Sequence, residues 1–290
     1  MQKVYSALMT AFDKNGNLDE QGTREIIRYN IDKMHVDGLY VGGSTGEAFL
    51  IDEEEKKKIF KIAIEEAAGA CDLIAQVGSP NLVQAKRLAN YVVNTLGYST
   101  ISAVTPFYYH FDFDEIKNYY DTIVEGLDTR LIVYSIPALT GVALSLKQFE
   151  ELLANPKIVG IKYTNNDFYL LERLRNKFPD KKIYSGFDEM LLSALVLGVD
   201  GCIGSTFNVN TPRVKREIKA FNEGDIITAR EMQRQSNDLI SAILDNDLYN
   251  CIKLLLQEQG VHAGFTREPM RKPTAEMKRK AHEIAVKYLK

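Results

Sequence analysis

Short apolar segments alternate with longer stretches of helical periodicity from the start of the chain to about residue 206. Each apolar segment is bounded by Gly, Pro or Asp, which is typical of short buried strands. Eight such segments are predicted to be strands, at residues 5–9, 39–41, 73–77, 100–104, 131–136, 159–162, 182–185 and 202–204.

The stretches between the predicted strands carry the signals of helix starts. Residues 52–55 are acidic and residues 56–58 are lysines, which is the order that the helix dipole favours at an N-terminus. Ser145 and Gln148 have the spacing of a capping box, in which each side chain accepts a hydrogen bond from the backbone of the other. We expect a helix to follow Ser145 and to end near Asn155.

Eight alternations of strand and helix predict parallel pairing with helical crossovers, and eight strands are the number at which such a sheet closes into a (β/α)8 TIM barrel. A doubly wound open sheet is the alternative fold. The first strand-to-helix loop lacks G-x-G-x-x-G spacing, and residues 42–47, GGSTGE, lack the Lys-Ser/Thr ending of a P-loop. We therefore favour the barrel and expect no nucleotide site.

The pattern changes after Thr206, since residues from about 211 to 290 show only helical periodicity. This predicts the last helix of the barrel and a C-terminal helical appendage of two or three further helices. We divide the chain into a (β/α)8 barrel that carries the active site, residues 1–222, and a helical extension packed on that barrel, residues 223–290.

Charge and composition restrict the partners of the protein. Apolar residues make up 45% of the chain, and 36 Lys and Arg against 39 Asp and Glu give a formal charge of −3. This balance offers no broad attraction to nucleic acid or to anionic lipid, so we expect small molecules or copies of the chain as partners.

The cysteines and the N-terminus indicate a reducing compartment. Cys71, Cys202 and Cys251 are far apart and odd in number, which fits neither a disulfide framework nor a zinc site. The chain enters a strand-like stretch at once, without a signal-peptide apolar region or a run of membrane-spanning length. We expect a cytoplasmic protein without membrane contacts.

Lys162 is the candidate nucleophile. It closes an apolar run, residues 158–161, where a strand would emerge into a loop. An amine held among apolar neighbours favours its neutral form, and a neutral amine forms Schiff bases with carbonyl substrates. The alternative is a lysine that only lifts its charge into solvent.

Other strand ends supply polar groups to the same end of a barrel. The loop at residues 42–47 suits a substrate carboxylate because its glycines expose backbone N–H groups and its hydroxyls add donors, although a tight turn with a helix cap has the same composition. Tyr134 could relay a proton if a nearby cation lowered its pKa. The four histidines are scattered, so we expect no metal site and no catalytic triad.

Strands seven and eight are predicted to end in groups that bind hydroxyls. Asp188 and Glu189 follow strand seven and are placed to accept hydrogen bonds from substrate hydroxyls. Residues 204–206 follow strand eight and add two more hydroxyl side chains.

Five motifs in order along the chain match a known family. They are GGSTGE at residues 42–47, TPFYY at 105–109, YSIPALTG at 134–141, GIKYT at 160–164 and YSGFDE at 184–189. With them the chain resembles the N-acetylneuraminate lyases of the dihydrodipicolinate synthase/N-acetylneuraminate lyase superfamily of class I aldolases, over essentially its whole length. Dihydrodipicolinate synthases have an arginine after the strand-five tyrosine motif, where this chain has ALT at residues 138–140. The resemblance therefore implies lyase activity.

The resemblance also implies roles for individual residues. Lys162 would be the Schiff-base lysine and Tyr134 the proton donor and acceptor, while Ser44 and Thr45 would hold the carboxylate that becomes that of pyruvate. Tyr108 matches a tyrosine that family members lend to a neighbouring subunit, which implies a homotetramer. The remaining contacts with the sugar would come from Thr164, Gly186, Asp188, Glu189 and Ser205.

The implied reaction is the reversible retro-aldol cleavage of N-acetylneuraminic (sialic) acid to N-acetylmannosamine and pyruvate, with no cofactor and no metal. Two alternatives stay open from the sequence. One is a pyruvate-dependent class I aldolase that acts on a different sugar acid, and the other is a barrel that binds a sugar acid without turnover.

Overall fold

The computed structural model describes residues 2–289 and contains a closed barrel of parallel strands. The strands are β1 (Lys3–Ala7), β2 (Gly38–Val41), β3 (Asp72–Gln76), β4 (Thr100–Val104), β5 (Arg130–Ser135), β6 (Ile158–Tyr163), β7 (Lys182–Ser185) and β8 (Gly201–Gly204). Each strand pairs with the next, and β8 pairs with β1. The eight predicted strands and the (β/α)8 TIM barrel are confirmed.

The boundaries of β1 differ from the prediction by two residues. The strand was predicted at residues 5–9 and lies at Lys3–Ala7. Leu8 and Met9, which follow it, are fully buried. The apolar run continues past the last ladder residue into core contacts, so hydrophobicity alone did not mark the end of the strand.

Helices cover the outside of the barrel and form the C-terminal part of the chain. The sequence signals at helix starts are confirmed: Asp52 accepts a hydrogen bond from the backbone N–H of Glu55, and Ser145 and Gln148 form the capping box. The helices are α1 (Glu20–Asp32), α2 (Glu53–Ala67), α3 (Leu82–Asn90), α4 (Phe113–Val124), α5 (Pro137–Thr140), α6 (Leu146–Leu153), α7 (Phe168–Lys177), α8 (Leu191–Val196), α9 (Phe207–Asn222), α10 (Ile226–Leu244), α11 (Leu248–Glu258) and α12 (Ala275–Tyr288).

The barrel interior is packed with side chains and is unusually rich in tyrosine. The ring of Tyr5 meets the ring of Tyr184 edge to face at 5.4 Å, and Tyr40 meets Tyr134 in the same way at 5.9 Å. Aliphatic side chains from other strands fill the space around them. Lys162 packs against this interior layer, since its amine contacts the rings of Tyr40 and Tyr134.

The C-terminal helical appendage is confirmed as three helices, α10 to α12, that follow the last barrel helix α9. Their side chains contact the loops after the barrel strands: Gln233 of α10 donates to the backbone oxygen of Asp188 at 3.1 Å, and Lys253 of α11 lies 2.6 Å from Glu47. The division at residues 222 and 223 stays a prediction. Within residues 2–289, no helix is both long and apolar enough to cross a membrane.

Candidate active site

The barrel places the two predicted reactive side chains next to each other. Tyr134 of β5 and Lys162 of β6 are directly opposed in the parallel ladder. Opposed residues of neighbouring strands share one face of the sheet, which here is the barrel interior. Both residues are next to last in their strands, so their polar ends lie at the carboxyl-terminal mouth, where enzymes of this fold carry their chemistry.

Lys162 is held between aromatic rings. Lys162 is only 5% exposed. Its Nζ lies 4.0 Å from the ring centre of Tyr134 and 4.2 Å from that of Tyr40. Burial lowers the pKa of Lys162 to about 7, and the negative charge of Asp188 acts against that shift. Near neutral pH a substantial fraction of this amine is therefore unprotonated and nucleophilic.

Tyr134 is buried, and its hydroxyl does not have the lowered pKa that was expected for a proton relay. Burial raises its pKa to about 12, while the hydroxyls of Ser44 and Thr164 beside it act in the lowering direction. The expected cation is present, but the Lys162 amine lies over the face of the ring and not beside the hydroxyl. Tyr134 is therefore a neutral proton donor and acceptor in the free protein.

The loop after β2 brings the predicted carboxylate-binding hydroxyls to this pair. Gly42 has φ +72°, a left-handed conformation that favours glycine, and a single 3₁₀ turn at Ser44–Gly46 follows it. Ser44 faces the phenol of Tyr134. The Thr45 and Ser205 hydroxyls are 2.7 Å apart, so the loops after β2 and β8 are joined by a hydrogen bond.

The loop after β7 carries the predicted sugar-binding acids, and the two differ in environment. Asp188 is half-buried, and its Oδ2 accepts from the backbone N–H of Thr206 at 2.9 Å and from its hydroxyl at 2.6 Å. Burial raises the pKa of Asp188 to about 6, and both Thr206 contacts act in the lowering direction. Glu189 is exposed, and its backbone oxygen accepts from Asn237 of α10.

Thr164 and Gly186 meet at the carboxyl ends of β6 and β7. Thr164 is buried, and its hydroxyl has no hydrogen-bond partner among residues 2–289. A Cβ at Gly186 would collide with that hydroxyl, so the close approach requires glycine. The unpartnered hydroxyl is available to a substrate oxygen.

Tyr108 does not join the other predicted site residues within this chain. It has φ +82°, its side chain is 85% exposed, and its ring meets the similarly exposed Tyr109 edge to face. The structure thus brings together the β2, β5, β6, β7 and β8 residues and leaves Tyr108 on the surface.

Two residues of the site, Tyr40 and Tyr249, were not singled out from the sequence. Tyr40 lies inside β2 and supplies the second ring against Lys162. Thr206, one of the two hydroxyl residues predicted after strand eight, holds the Asp188 carboxylate. Tyr249 of α11 lines an apolar cavity of about 230 Å³ next to Ser44. Tyr40 could have been predicted from the alternation of side chains along a strand, which places it on the same face as Gly42, two residues later. Nothing local in the sequence points to Tyr249.

Comparison with known proteins adds an independent finding. Residues 1–288 match the model of the Dihydrodipicolinate synthetase family. The chain is 60% identical over 288 residues to the N-acetylneuraminate lyase of Clostridium perfringens strain SM101, an alignment that covers 99% of this chain and 100% of that relative.

Solved structures of similar proteins superpose closely on this one. A Clostridium difficile protein, solved in complex with mannosamine, is 58% identical with a TM-score of 0.98, and the alignment covers 99% of each chain. The N-acetylneuraminate lyase of Fusobacterium nucleatum, complexed with pyruvate, is 56% identical with a TM-score of 0.95, covering 100% of this chain and 98% of that one.

Proposed function

The chain belongs to the dihydrodipicolinate synthetase family, and from this membership we propose that it is a carbon–carbon lyase of the class I aldolase type. Its substrate is N-acetylneuraminic acid, which it cleaves reversibly to N-acetylmannosamine and pyruvate. The name of the Clostridium perfringens relative and the pyruvate complex of the Fusobacterium nucleatum structure support this substrate pair.

One observation carries the proposal: the amine of Lys162 is buried between two tyrosine rings. A protonated lysine cannot attack a carbonyl, and burial, which lowers the pKa of Lys162 to about 7, supplies the neutral form at physiological pH. The amine adds to the C2 ketone of the open-chain sugar acid, and loss of water gives an iminium ion. The positive nitrogen then accepts the electron pair of the breaking C3–C4 bond.

Tyr134 moves the proton that this bond cleavage releases. As a neutral phenol it can donate its own proton to the substrate carboxylate while its oxygen receives the proton of the C4 hydroxyl. The C4 carbon leaves as the aldehyde of N-acetylmannosamine. The carboxylate returns the relayed proton to C3 of the enamine left on Lys162, and water hydrolyses the resulting imine to pyruvate and free lysine.

The loops divide the substrate between them. Ser44 and Thr45 bind the carboxylate next to C2, because the turn that carries them places the Ser44 hydroxyl beside Tyr134. The polyol end of the sugar meets the loops after β6, β7 and β8, where hydroxyl and carboxylate oxygens can exchange hydrogen bonds with it. These loops carry Thr164, Gly186, Asp188, Glu189 and Ser205.

The active form is a homotetramer in which Tyr108 contributes to a neighbouring site. Support comes from its exposure, since its own chain leaves this aromatic side chain 85% exposed on a left-handed residue. Analytical ultracentrifugation tests the assembly, and loss of the tetramer in a Tyr108→Ala variant together with reduced activity would support the shared site. The cytoplasmic location stays a prediction from the sequence.

Borohydride reduction in the presence of sialic acid and, separately, of pyruvate tests the reaction. We expect both incubations to leave the same reduced pyruvate adduct on Lys162, located by peptide mapping, and N-acetylmannosamine alone to leave none. An adduct from pyruvate but not from sialic acid would move the assignment to an aldolase for another sugar acid. No adduct from either would leave the non-catalytic binding barrel.

A further inference from the structure

A buried ion pair connects the loop after β2 with the C-terminal helices. Nζ of Lys253 in α11 lies 2.6 Å from Oε1 of Glu47, and their side chains are 2% and 0% exposed. Two charges so far from water gain little net stability compared with apolar packing, because each has lost its hydration. The pair is therefore better explained by what it positions than by the stability that it adds.

Both charged groups of the pair have a further partner in the same C-terminal region. Oε2 of Glu47 accepts from the backbone N–H of Arg267 at 2.7 Å, and Nζ of Lys253 donates to the backbone oxygen of Phe265 at 2.5 Å. The Lys253 amine also lies over the ring of Phe12 at 4.9 Å. Glu47 is thus fixed by contacts that converge from α11 and from the segment after it.

The backbone of Glu47 is strained, so holding this residue in place costs conformational free energy. Its φ of 61° and ψ of 31° are left-handed, which is rare for a residue with a Cβ and persists only where the surroundings impose it. Its N–H donates to the backbone oxygen of Ser44 at 2.9 Å, which closes the Ser44–Gly46 turn. The anchored residue therefore sets the conformation of the turn that carries Ser44 and Thr45.

We propose that Glu47 and Lys253 are positioning residues that hold the Ser44 and Thr45 hydroxyls ready to receive the substrate carboxylate. This inference rests on the proposed function, in which these two hydroxyls bind that carboxylate. A loop already held in its bound conformation loses less freedom when the ligand arrives, so the pair acts on affinity. Lys162 lies on a barrel strand and not on this loop, so the pair has little effect on the chemistry of bound substrate.

Two variants separate the charge from the shape of the pair. Glu47→Gln keeps the size of the side chain and one accepting oxygen, and combining it with Lys253→Met removes both charges, so that neither is left buried alone. The measurements are the pyruvate concentration that gives half-maximal borohydride adduct on Lys162, and the KM and kcat of sialic acid cleavage. We expect the double variant to raise the half-saturating concentration and KM about tenfold and to lower kcat less than about threefold.

Leu255→Ala is the matched control. Leu255 is fully buried in the same helix, and its truncation leaves a cavity that destabilises α11 without removing the ion pair. We expect this variant to lower the melting temperature and to keep pyruvate half-saturation within about twofold of the wild type. If Leu255→Ala weakens pyruvate binding as much as the double variant does, general loosening of the helix explains the effect and the inference is wrong.

Three further outcomes also decide whether Glu47 and Lys253 have the proposed positioning role. A folded double variant that binds pyruvate like the wild type would overturn the positioning role. If the double variant fails to fold, the Glu47→Asp variant, which keeps both charges and shortens the acid by one methylene group, decides alone, with an expected rise in half-saturation of about threefold. If the wild-type protein forms no adduct on Lys162, the proposed function fails first and the inference falls with it.

Discussion

Lysines lie at both ends of the barrel, and their environments at the two ends are opposite. At the carboxyl end, Lys162 is 5% exposed and has tyrosine rings as its nearest neighbours. At the amino end, Lys3 and Lys182 begin β1 and β7, are exposed, and pair with Asp72 and Asp200 at 2.5 Å and 3.1 Å. One residue type is therefore placed in two environments within the same sheet.

The pKa values follow from these environments. Burial lowers the pKa of Lys162 to about 7, whereas the hydrogen bond to Asp72 raises the pKa of Lys3. Cavity volume alone would point to the wrong end of the barrel. The amino end has a cavity of about 680 Å³, whereas the cavity at the carboxyl end has about 230 Å³. The state of the amine, and not the volume of the opening, identifies the end that can form an imine.

Replacing Lys162 by alanine should have the largest effect, because it removes the nitrogen that forms the imine. We expect no detectable turnover and no pyruvate adduct after borohydride treatment, with a circular dichroism spectrum like that of the wild type. The measurements are sialic acid turnover and intact mass. Wild-type turnover in this variant would contradict a Schiff base at the carboxyl end.

Tyr134→Phe tests whether the second member of the pair is chemical or only structural. The ring against Lys162 is kept, so the imine should still form, while cleavage should slow on the order of a hundredfold or more, the usual contribution of positioned proton transfer. Single-turnover experiments with borohydride trapping separate the two steps. Equal slowing of both would show that the phenol shapes the site and does not relay the proton.

The pH dependence of imine formation tests the lowered pKa directly. Only the neutral amine reacts, so the rate with saturating pyruvate should fall about tenfold for each pH unit below about 7 and level off above it. The Asp188→Asn variant should move the midpoint to lower pH, since the Asp188 charge favours the protonated amine. A midpoint near 10, the ordinary lysine value, would mean that Lys162 is no different from the lysines of the amino end.

Asp188→Asn should also weaken binding of the sugar. Its carboxylate, held by Thr206, is placed to accept from substrate hydroxyls, and hydrogen bonds to charged groups are worth about tenfold in affinity or more. Well above pH 7, where the Lys162 amine is neutral in both proteins, we expect KM for sialic acid to rise about tenfold, with half-saturation by pyruvate unchanged. Glu189→Gln is the comparison, and its effect should be smaller because Glu189 is exposed. A larger effect for Glu189 would reverse the order of the two acids.

Much of this arrangement could be predicted from the sequence because it follows from strand order. Once eight alternating strands imply a barrel, Tyr134 and Lys162 at the ends of consecutive strands must be neighbours, and the structure pairs them directly. The residues after β7 and β8 approach each other for the same reason, as the contacts of Asp188 with Thr206 show.

The rest depends on geometry that no local pattern contains. Glu47 and Lys253 are 206 positions apart, and their contact exists only because α11 packs over the mouth of the barrel. Burial raises the pKa of Tyr134, and the Lys162 amine lies over its ring face, an arrangement that depends on side-chain angles and not on spacing. The exposure of Tyr108 does not follow from its local pattern, in which aromatic residues stand on both sides, and was implied only by the family resemblance.

Lys182→Met, at the amino end of the barrel, should have the smallest effect. Lys182 is 57% exposed, and Asp200 keeps contacts with the backbone N–H of Ile183 and with Arg175 when the lysine is gone. Exposed ion pairs contribute about 1 kcal/mol or less, so thermal unfolding should shift slightly and sialic acid turnover should stay at the wild-type rate. Because Lys182 and Lys162 lie on adjacent strands, a large loss of turnover here would mean that the position along the strand does not decide which lysine reacts.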